Sequence, residues 1–277
     1  MINLLLSVIV SIMSYGAVPN DETANNAVAI NKAIDACAMK GGGEVIVPCG
    51  EFTTGTVFLK SGVMLRLENG AVLKGSPRLR DYSPLKTSRD LSRFESGQGT
   101  VNYNSATDPQ WSLAMVFAVD VNKSGIVGHG TIDGADVRNP LGEERMRGPH
   151  TVLMSGCSDM KFEDFTVRNS ANYAFLGYDL RDVEFEDLLI FGGWDGIHIR
   201  GAKDVEIENC ELHTGDDAIA GGYWENMQIR HCTLNSSCNG IRMIMPSDGV
   251  EVSNCNIYGP GMFEHITSHG TETLAGV

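Results

Sequence analysis

Five stretches of this chain repeat one pattern at a nearly constant interval, and the interval leaves few folds open. They are MKFEDFTVRNS from Met160, VEFEDLLIFGG from Val183, VEIENCELHTG from Val205, MQIRHCTLNSS from Met227 and VEVSNCNIYGP from Val250, with starts 23, 22, 22 and 23 residues apart. Apolar residues recur at offsets 0, 2, 5 and 7, as in Val183, Phe185, Leu188 and Ile190 or Val205, Ile207, Cys210 and Leu212. A step of two is a strand with one buried face, and the skip from offset 2 to offset 5 is a turn that resets the phase. A unit of this length buries little alone and depends on identical neighbours stacked against it. The expectation is an all-β chain coiled as a right-handed parallel β-helix from about Gly42 to Gly259. Leucine-rich repeats reach a similar length, but the Leu and Asn spacing they need is absent.

Offset 5 then forms an interior ladder of Phe165, Leu188, Cys210, Cys232 and Cys255, so these cysteines read as core, while Cys238 falls outside the ladder. The 22-residue step also predicts how the coil closes. A further unit would begin near residue 272, where only ETLAGV remains, so either the last coil is finished by something unusual or the chain is shortened. The expectation is a single β-helix domain over 1–277 without a proper C-terminal cap, which is marginally stable, pairs through that end or is a fragment. At the other end, NNAVAINKAIDACAM puts Ala27, Ile30, Ile34 and Cys37 on one helical stripe and reads as a short N-terminal capping helix. Residues 78–110 are polar and aperiodic, with Tyr82, Phe94 and Tyr103 scattered through them, and read as a loop walling a groove.

The formal charge of −14, from 21 basic and 35 acidic residues, argues against a nucleic-acid partner, since clustered Lys and Arg carry phosphate binding. No stretch between Gly16 and Val277 is long and apolar enough to span a membrane. MINLLLSVIVSIM at the start has the apolar core of a secretion signal but no basic residue before it, so a first strand or capping segment is the preferred reading. Seven cysteines without a C-x-x-C spacing indicate neither a disulfide framework nor a zinc knuckle. The compartment stays open, with a cytoplasmic chain preferred to a secreted one.

Against this frame HTGDDAIA, from His213, stands out. Offset 12 aligns Asn172, Asp195, Asp217 and Asn239 on successive coils, about 4.8 Å apart, with Asp216 beside the column. Three carboxylates converge with no nearby Lys to offset them. Like charges raise one carboxyl's pKa, leaving a protonated donor beside ionised neighbours, and that pairing is what glycoside hydrolysis uses. An ideal strand aims adjacent residues to opposite sides, so presenting both Asp216 and Asp217 requires a bend at Gly215. His198 and Arg242 at offset 15, and Arg200 at offset 17, point outward beside the cluster if Ile197 and Ile199 point in.

The residues also carry a resemblance. SYGAVPNDETANNAVAINKAIDAC, GGGEVIVPCGEFTTGTVFLKSGVMLRLENGAVLKGS, GTIDG, RGPHTVLMSGC, VRNSANYAF, WDGIHI and GDDAIA, in that order, resemble family 28 glycoside hydrolases, the polygalacturonases and their relatives. Only the aspartate pattern points to this family within the pectin-lyase-like β-helices. The resemblance implies Asp216 as general acid, with Asp195 and Asp217 holding the water for an inverting hydrolysis. Two family elements differ here. CNGIRM replaces Gly-His-Gly, with Asn239 or Cys238 in the histidine's place, and the later Arg-Ile-Lys substrate clamp is missing, leaving Arg242 or Arg200 as candidate substitutes.

The candidate set is therefore Asp195, Asp216 and Asp217 for catalysis and Trp194, His198, Arg200, Asn239 and Arg242 for a glycan substrate, with uronate-containing glycans included. No metal or cofactor is expected, and His150, His213, His231, His265 and His269 lack the spacing of a metal site. Two other readings compete. A Ca²⁺-dependent polysaccharide lyase would use the three aspartates as oxygen ligands and Arg242 as base. A non-catalytic carbohydrate-binding β-helix would use the same face for affinity alone. Trp194, next to Asp195, serves equally as a sugar platform or as packing, and the same ambiguity covers Trp111 and Trp224.

Overall fold

The alternation of the repeat units becomes a stack of parallel strands in the computed structural model, which describes residues 8–94 and 105–277. One sheet runs through Val8–Ser11, Gly43–Val47, Val63–Leu67, Asn122–Val127 and Ser158–Glu163. It continues into the second halves of Phe175–Glu186, Ile197–Glu208 and Ile219–Arg230 and ends on Asp248–Ser253. A second sheet stacks Gly50–Thr54, Ala71–Gly75, Thr131–Asp133, Thr166–Arg168, Leu189–Phe191, Glu211–Thr214, Thr233–Ser236 and Asn256–Tyr258. A third face is built from Val57–Phe58, Leu113–Val119, His150–Ser155, the first halves of the three long strands, and Ile241–Met243. Together they form the right-handed parallel β-helix, in about nine turns. Among the described strands only Ser83–Pro84 pairs antiparallel.

The turn inferred at offsets 3 to 5 has a simple cause. Asp164, Asp187, Asn209, His231 and Asn254 occupy the same place in each unit and all adopt left-handed backbone, with φ of 67°, 52°, 54°, 55° and 54°. Asn, Asp and His tolerate that region better than other non-glycine residues. The first four of these turns also donate their N–H to the next coil, as Asp187 does to Glu208 O at 3.2 Å, so the ladder crosses the corner without a gap.

Inside, the offset-5 ladder stands as expected. Phe165, Leu188, Cys210 and Cys232 are buried, and Cys255, on the last coil, is half-buried. The thiols lie along the stacking direction, with Cys210 Sγ 3.6 Å from Phe185 O and Cys232 Sγ 3.5 Å from Ile207 O, each one coil back. Phe162 and Phe185 stack at 5.3 Å between ring centres. The helix forms at Ala27–Met39 and buries Ala27, Ile30, Ile34 and Cys37 against the strands of the first turns. Of the N-terminal segment, residues 8–11 are a strand paired with Gly43–Val47, and residues 1–7 lie outside the described residues.

Two segments outside the repeat cover its surface. Residues 79–94 and 105–112 pack closely over the outside of the third face, where Arg89, Arg93 and Phe94 line a groove with Arg181 and Tyr223. Leu91, Phe94, Ala106 and Trp111 join Phe117, Leu153, Leu176, Tyr178 and Trp194 in a second apolar cluster. The third face is therefore buried on both sides, which explains the unbroken apolar run Leu113–Val119. Tyr103 lies outside the described residues. At the other end, residues 259–277 fold back on the last coil instead of leaving it bare. Asn239 pairs with Ala275, and the N–H groups of Gly240 and Ile241 donate to Ala275 O and Gly276 O at 3.0 and 2.9 Å. The cover is one-sided, because Val252 and Tyr258 stay exposed.

Leu188 is fully buried between Phe165 and Cys210, where no neighbour can collapse without breaking register. Leu188→Ala is expected to lower the unfolding free energy by about 3 kcal/mol. Urea unfolding of variant and parent checks this, and a change under 1 kcal/mol, on the order of a surface substitution, would remove Leu188 from the ladder.

Candidate active site

The acids stand where the second sheet turns into the third. Backbone bonds fix the rungs: Ala174 N donates to Asp195 O at 2.9 Å, Gly196 N to Asp217 O at 3.0 Å and Ala218 N to Asn239 O at 2.9 Å. Asp195, Asp217 and Asn239 therefore stack as the spacing predicts. Asn172 does not join them. The first interval is one residue longer, so Tyr173 takes that rung, as the pairing of Phe175 with Ile197 requires. Asn172 sits one place back and donates to Gly148 O at 3.3 Å.

The required bend is present. The chain leaves its strand after Thr214 and turns at Gly215 and Asp216. A side chain at Gly215 would bring its Cβ to 2.6 Å from Gly193 O and 2.8 Å from Glu264 O, so only glycine fits between the coil and the C-terminal segment. The Asp216 carbonyl is pinned by the hydroxyls of Thr214 and Ser236, each donating at 2.8 Å. This frees the Asp216 side chain to aim with its neighbours. Its carboxylate is the most accessible of the three, 13% exposed against 3% for Asp195 and Asp217.

Each acid has its own partners. Asp217 Oδ1 accepts from the Asn239 side chain at 2.7 Å and its backbone N–H at 3.2 Å, while Oδ2 lies 3.3 Å from Arg242 Nη1. Asp195 Oδ2 is 2.6 Å from His198 Nδ1, and His198 Nε2 accepts from Arg200 Nε at 3.0 Å. That second bond leaves the imidazole hydrogen on Nδ1, where it donates to Asp195. Asp216 lies between two nitrogen donors, with Arg147 Nη2 3.6 Å from Oδ2 and His265 Nε2 3.7 Å from Oδ1. Asp216, Asp217 and the Cys238 thiol hold their nearest donor atoms within 4.8 Å of one another.

Electrostatics follow from this burial. Asp195 is held well above the ordinary carboxylate range, by desolvation first and then by the charges of Asp216 and Asp217. Asp217 is raised for the same two reasons, desolvation and Asp216, with Asn239 and Arg242 pulling the other way. Burial, then Arg200, pushes His198 well below its usual value, so the imidazole enters its pair with Asp195 as a neutral donor. Burial and the two flanking aspartates likewise push the Cys238 thiol up.

Of the five residues expected to meet substrate, the structure leaves two available. Arg242 is half-exposed beside Asp217, and Asn239 stands next to it. His198 and Arg200 point outward as expected but are buried, with Arg200 donating to Phe94 O of the overlying loop at 3.3 Å and His198 stacked flat on Tyr173 of the neighbouring rung at 4.6 Å. Both are held by protein partners among the described residues. Trp194 is also corrected as a sugar platform: its ring is buried and carries the Arg147 guanidinium 3.6 Å from its centre. Trp111 and Trp224 are buried too, the latter donating to Ile199 O at 2.8 Å.

Arg147 and His265 were missed as site residues. Arg147 lies just before the third-face strand His150–Ser155, is ion-paired with Glu143 and Glu144 at 3.4 and 3.2 Å, and marks no repeat position. His265 comes from the segment after the last coil. The other histidines have structural places: His150 is buried between Trp111 and Tyr173 and pushed down to about 3 by desolvation and Arg147, and His213 stacks on Phe191.

Comparison with known proteins identifies the family and the fold. The family model described as glycosyl hydrolases family 28 matches residues 45–241. An exo-poly-alpha-D-galacturonosidase of Dickeya chrysanthemi is 27% identical over 286 residues, covering 82% of this chain and 44% of that protein. An exopolygalacturonase of Oenothera organensis is 26% identical over 248 residues, covering 81% and 60%. The chain thus spans about half the length of these relatives. Among solved structures, a hyperthermoactive exopolygalacturonase from Thermotoga maritima superposes with a TM-score of 0.68 at 21% identity, covering 90% of this chain and 66% of that one. PfbA, a surface adhesin of Streptococcus pneumoniae, reaches 0.65 at 18% identity, covering 93% and 65%. At such identities the structural likeness speaks for the fold alone.

Because Asp195 and Asp217 hold their protons more tightly folded than unfolded, their contribution to stability is complete below the ordinary carboxylate range and is lost as pH rises through the folded-state values. Asp195→Asn removes one titrating group while keeping the shape. Its unfolding free energy should decline less than the parent's from about pH 4 to about pH 8, leaving it about 1 kcal/mol more stable at the upper end. Urea unfolding across that range tests it, and parallel curves would count against a strained Asp195.

Proposed function

The chain belongs to family 28 of the glycosyl hydrolases, and from that premise we propose that it hydrolyses O-glycosidic bonds of a uronate-containing polysaccharide, polygalacturonase-like and with inversion. One observation carries the reading: the bend at Gly215 and Asp216 brings Asp216 to the accessible side while Asp195 and Asp217 stand on adjacent rungs behind it. Hydrolysis with inversion needs an acid to protonate the leaving oxygen and a carboxylate to draw a proton from water on the far side of the sugar. Asp216 is the donor, and Asp195 with Asp217 orient and deprotonate the water. Arg242, half-exposed beside Asp217, is the cation available for a substrate carboxylate, and Asn239 is the neutral donor next to it. The galacturonan-cleaving relatives point to the same class of polymer.

The lyase reading is less well supported. It asks Arg242 to accept a proton, yet its guanidinium is ion-paired with Asp217 at 3.3 Å and a guanidinium does not deprotonate in proteins.

Reducing-end release from polygalacturonate, rhamnogalacturonan and neutral glycans, with and without chelator, tests the proposal. Asp216→Asn is expected to lower kcat on the natural polymer by about 10²- to 10⁴-fold and to spare an aryl glycoside whose leaving group needs no proton. Arg242→Ala should raise KM for the uronate polymer about tenfold or more with a smaller change in kcat. Full activity of the Asp216 variant, an unsaturated product absorbing in the ultraviolet, or loss of turnover on chelation would each sink hydrolysis. Glycan affinity without turnover, surviving loss of all three aspartates, would instead make the chain a binding module.

A further inference from the structure

An inverting hydrolase has a proton problem that its acid and base do not solve between them. Each turnover takes a proton from the donor and puts one on the base. The donor must regain a proton before the next cycle, and here the donor is only 13% exposed. The groups facing Asp216 can be checked in turn. Arg147, at 3.6 Å from Oδ2, is a permanent cation and has no proton to give. Asp195 and Asp217 are acids of the same kind, and Asp195 is engaged by His198. Cys238 carries a thiol whose proton is held by burial and by the two aspartates. Glu143 and the buried Tyr173 feel the Asp216 charge, but His265 faces the carboxylate directly, and an imidazole can both give and take a proton.

Its geometry suits that task. The ring Nε2 faces Asp216 Oδ1 at 3.7 Å. On the other side Nδ1 accepts the backbone N–H of Ser268 at 3.3 Å, which leaves the hydrogen of the neutral ring on Nε2, aimed at Asp216. The Thr267 hydroxyl, 3.1 Å from Nδ1, is placed to accept the second N–H when the ring is charged. The edge of the ring rests on Trp194, with ring centres 6.0 Å apart at 82°, so its orientation is fixed by packing. Glu264, next in sequence, is turned to His269 at 3.6 Å rather than to His265. With 17% of its side chain exposed, His265 joins solvent to the enclosed carboxylate.

We propose that His265 is the positioning residue that returns the proton to Asp216 between turnovers; this rests on the reading of Asp216 as proton donor. After Asp216 has protonated the leaving oxygen, the His265 imidazolium passes its Nε2 proton to Asp216 Oδ1 and for that moment keeps its other hydrogen on Nδ1 against the Thr267 hydroxyl. Nε2 then takes a fresh proton from solvent, which restores the imidazolium. The proton taken from the attacking water leaves Asp195 and Asp217 for solvent, so each cycle closes with no net change on the protein.

His265→Gln tests this, because an amide N–H still reaches toward Oδ1 but cannot relay a proton. On a natural polymer kcat should fall about tenfold or more, with KM held within about twofold and free imidazole restoring the rate in proportion to its concentration. Turnover of an activated aryl glycoside, which needs no donor, should be unchanged. Wild-type kcat in the variant overturns the proposal. Equal loss on both substrates without imidazole rescue also overturns it, because that is the signature of a structural role. Nitrogen-15 NMR of the ring decides independently of activity: the neutral ring must carry its hydrogen on Nε2, and Asp216→Asn must move the Nε2 resonance. A hydrogen on Nδ1, or an unmoved resonance, removes the contact. If the parent cleaves no glycan while both NMR results hold, hydrolysis has failed and the His265–Asp216 contact has not.

Discussion

The register between coils is the constraint on which everything else in this molecule rests. Each coil bonds through its backbone to the one before, from Val152 against Phe175 through Phe175 against Ile197 and Ile197 against Ile219 to Ile219 against Ile241. A side chain at one position must therefore stand over its counterpart one coil away. For the apolar positions this is favourable, since Phe162 and Phe185 or Cys210 and Cys232 fill one continuous core. For Asp195 and Asp217 the same rule forces two carboxylates into adjacent rungs. The backbone does not allow them to separate.

A fold that imposes such proximity must hold its charges by other means. Burial and mutual repulsion raise the Asp195 pKa beside a neutral His198, and Arg200 keeps that imidazole in one tautomer. Asp217 keeps Arg242 and Asn239. Asp216 lies between Arg147 and His265. Giving each carboxyl its own hydrogen-bond donors costs less than desolvating three bare anions together. The same settlement leaves one carboxyl near the opening and two in reserve behind it. Two jobs are thereby separated by environment among residues of one type.

The repeat made the coil legible because it is a property of many residues at once. Offsets 0, 2, 5 and 7 place the core, and offset 12 places Asp195, Asp217 and Asn239, all from spacing alone. The Gly215 bend was legible too, since two adjacent outward aspartates demand it. Asn172 was misplaced because one interval is 23 residues long and spacing cannot say where the extra residue falls; it falls before Tyr173. The exposure of His198, Arg200 and Trp194 was misjudged for a different reason. Their outward direction follows from strand parity, but Arg200 and Trp194 are covered by Phe94 and Arg147, which obey no period, and His198 by Tyr173, which stands on its rung through the longer first interval. Direction is local, whereas burial is decided by whatever else the chain lays on that face.

This division also explains where the chemistry's adjustable parts are found. A stacked coil can repeat a carboxylate and can reach the last of them from the next rung, as Arg242 does Asp217, but Asp216 lies beside the column and takes its partners from elsewhere. The groups that single out Asp216 come from outside the periodic part, Arg147 from the segment entering the third face and His265 from the segment after the last coil. Trp194 binds the two together, with the guanidinium over its ring and the imidazole at its edge. Its indole is thus the surface against which both partners of Asp216 are positioned. A buried aromatic beside the acids supports the site by fixing its cations and offers no stacking face to sugar.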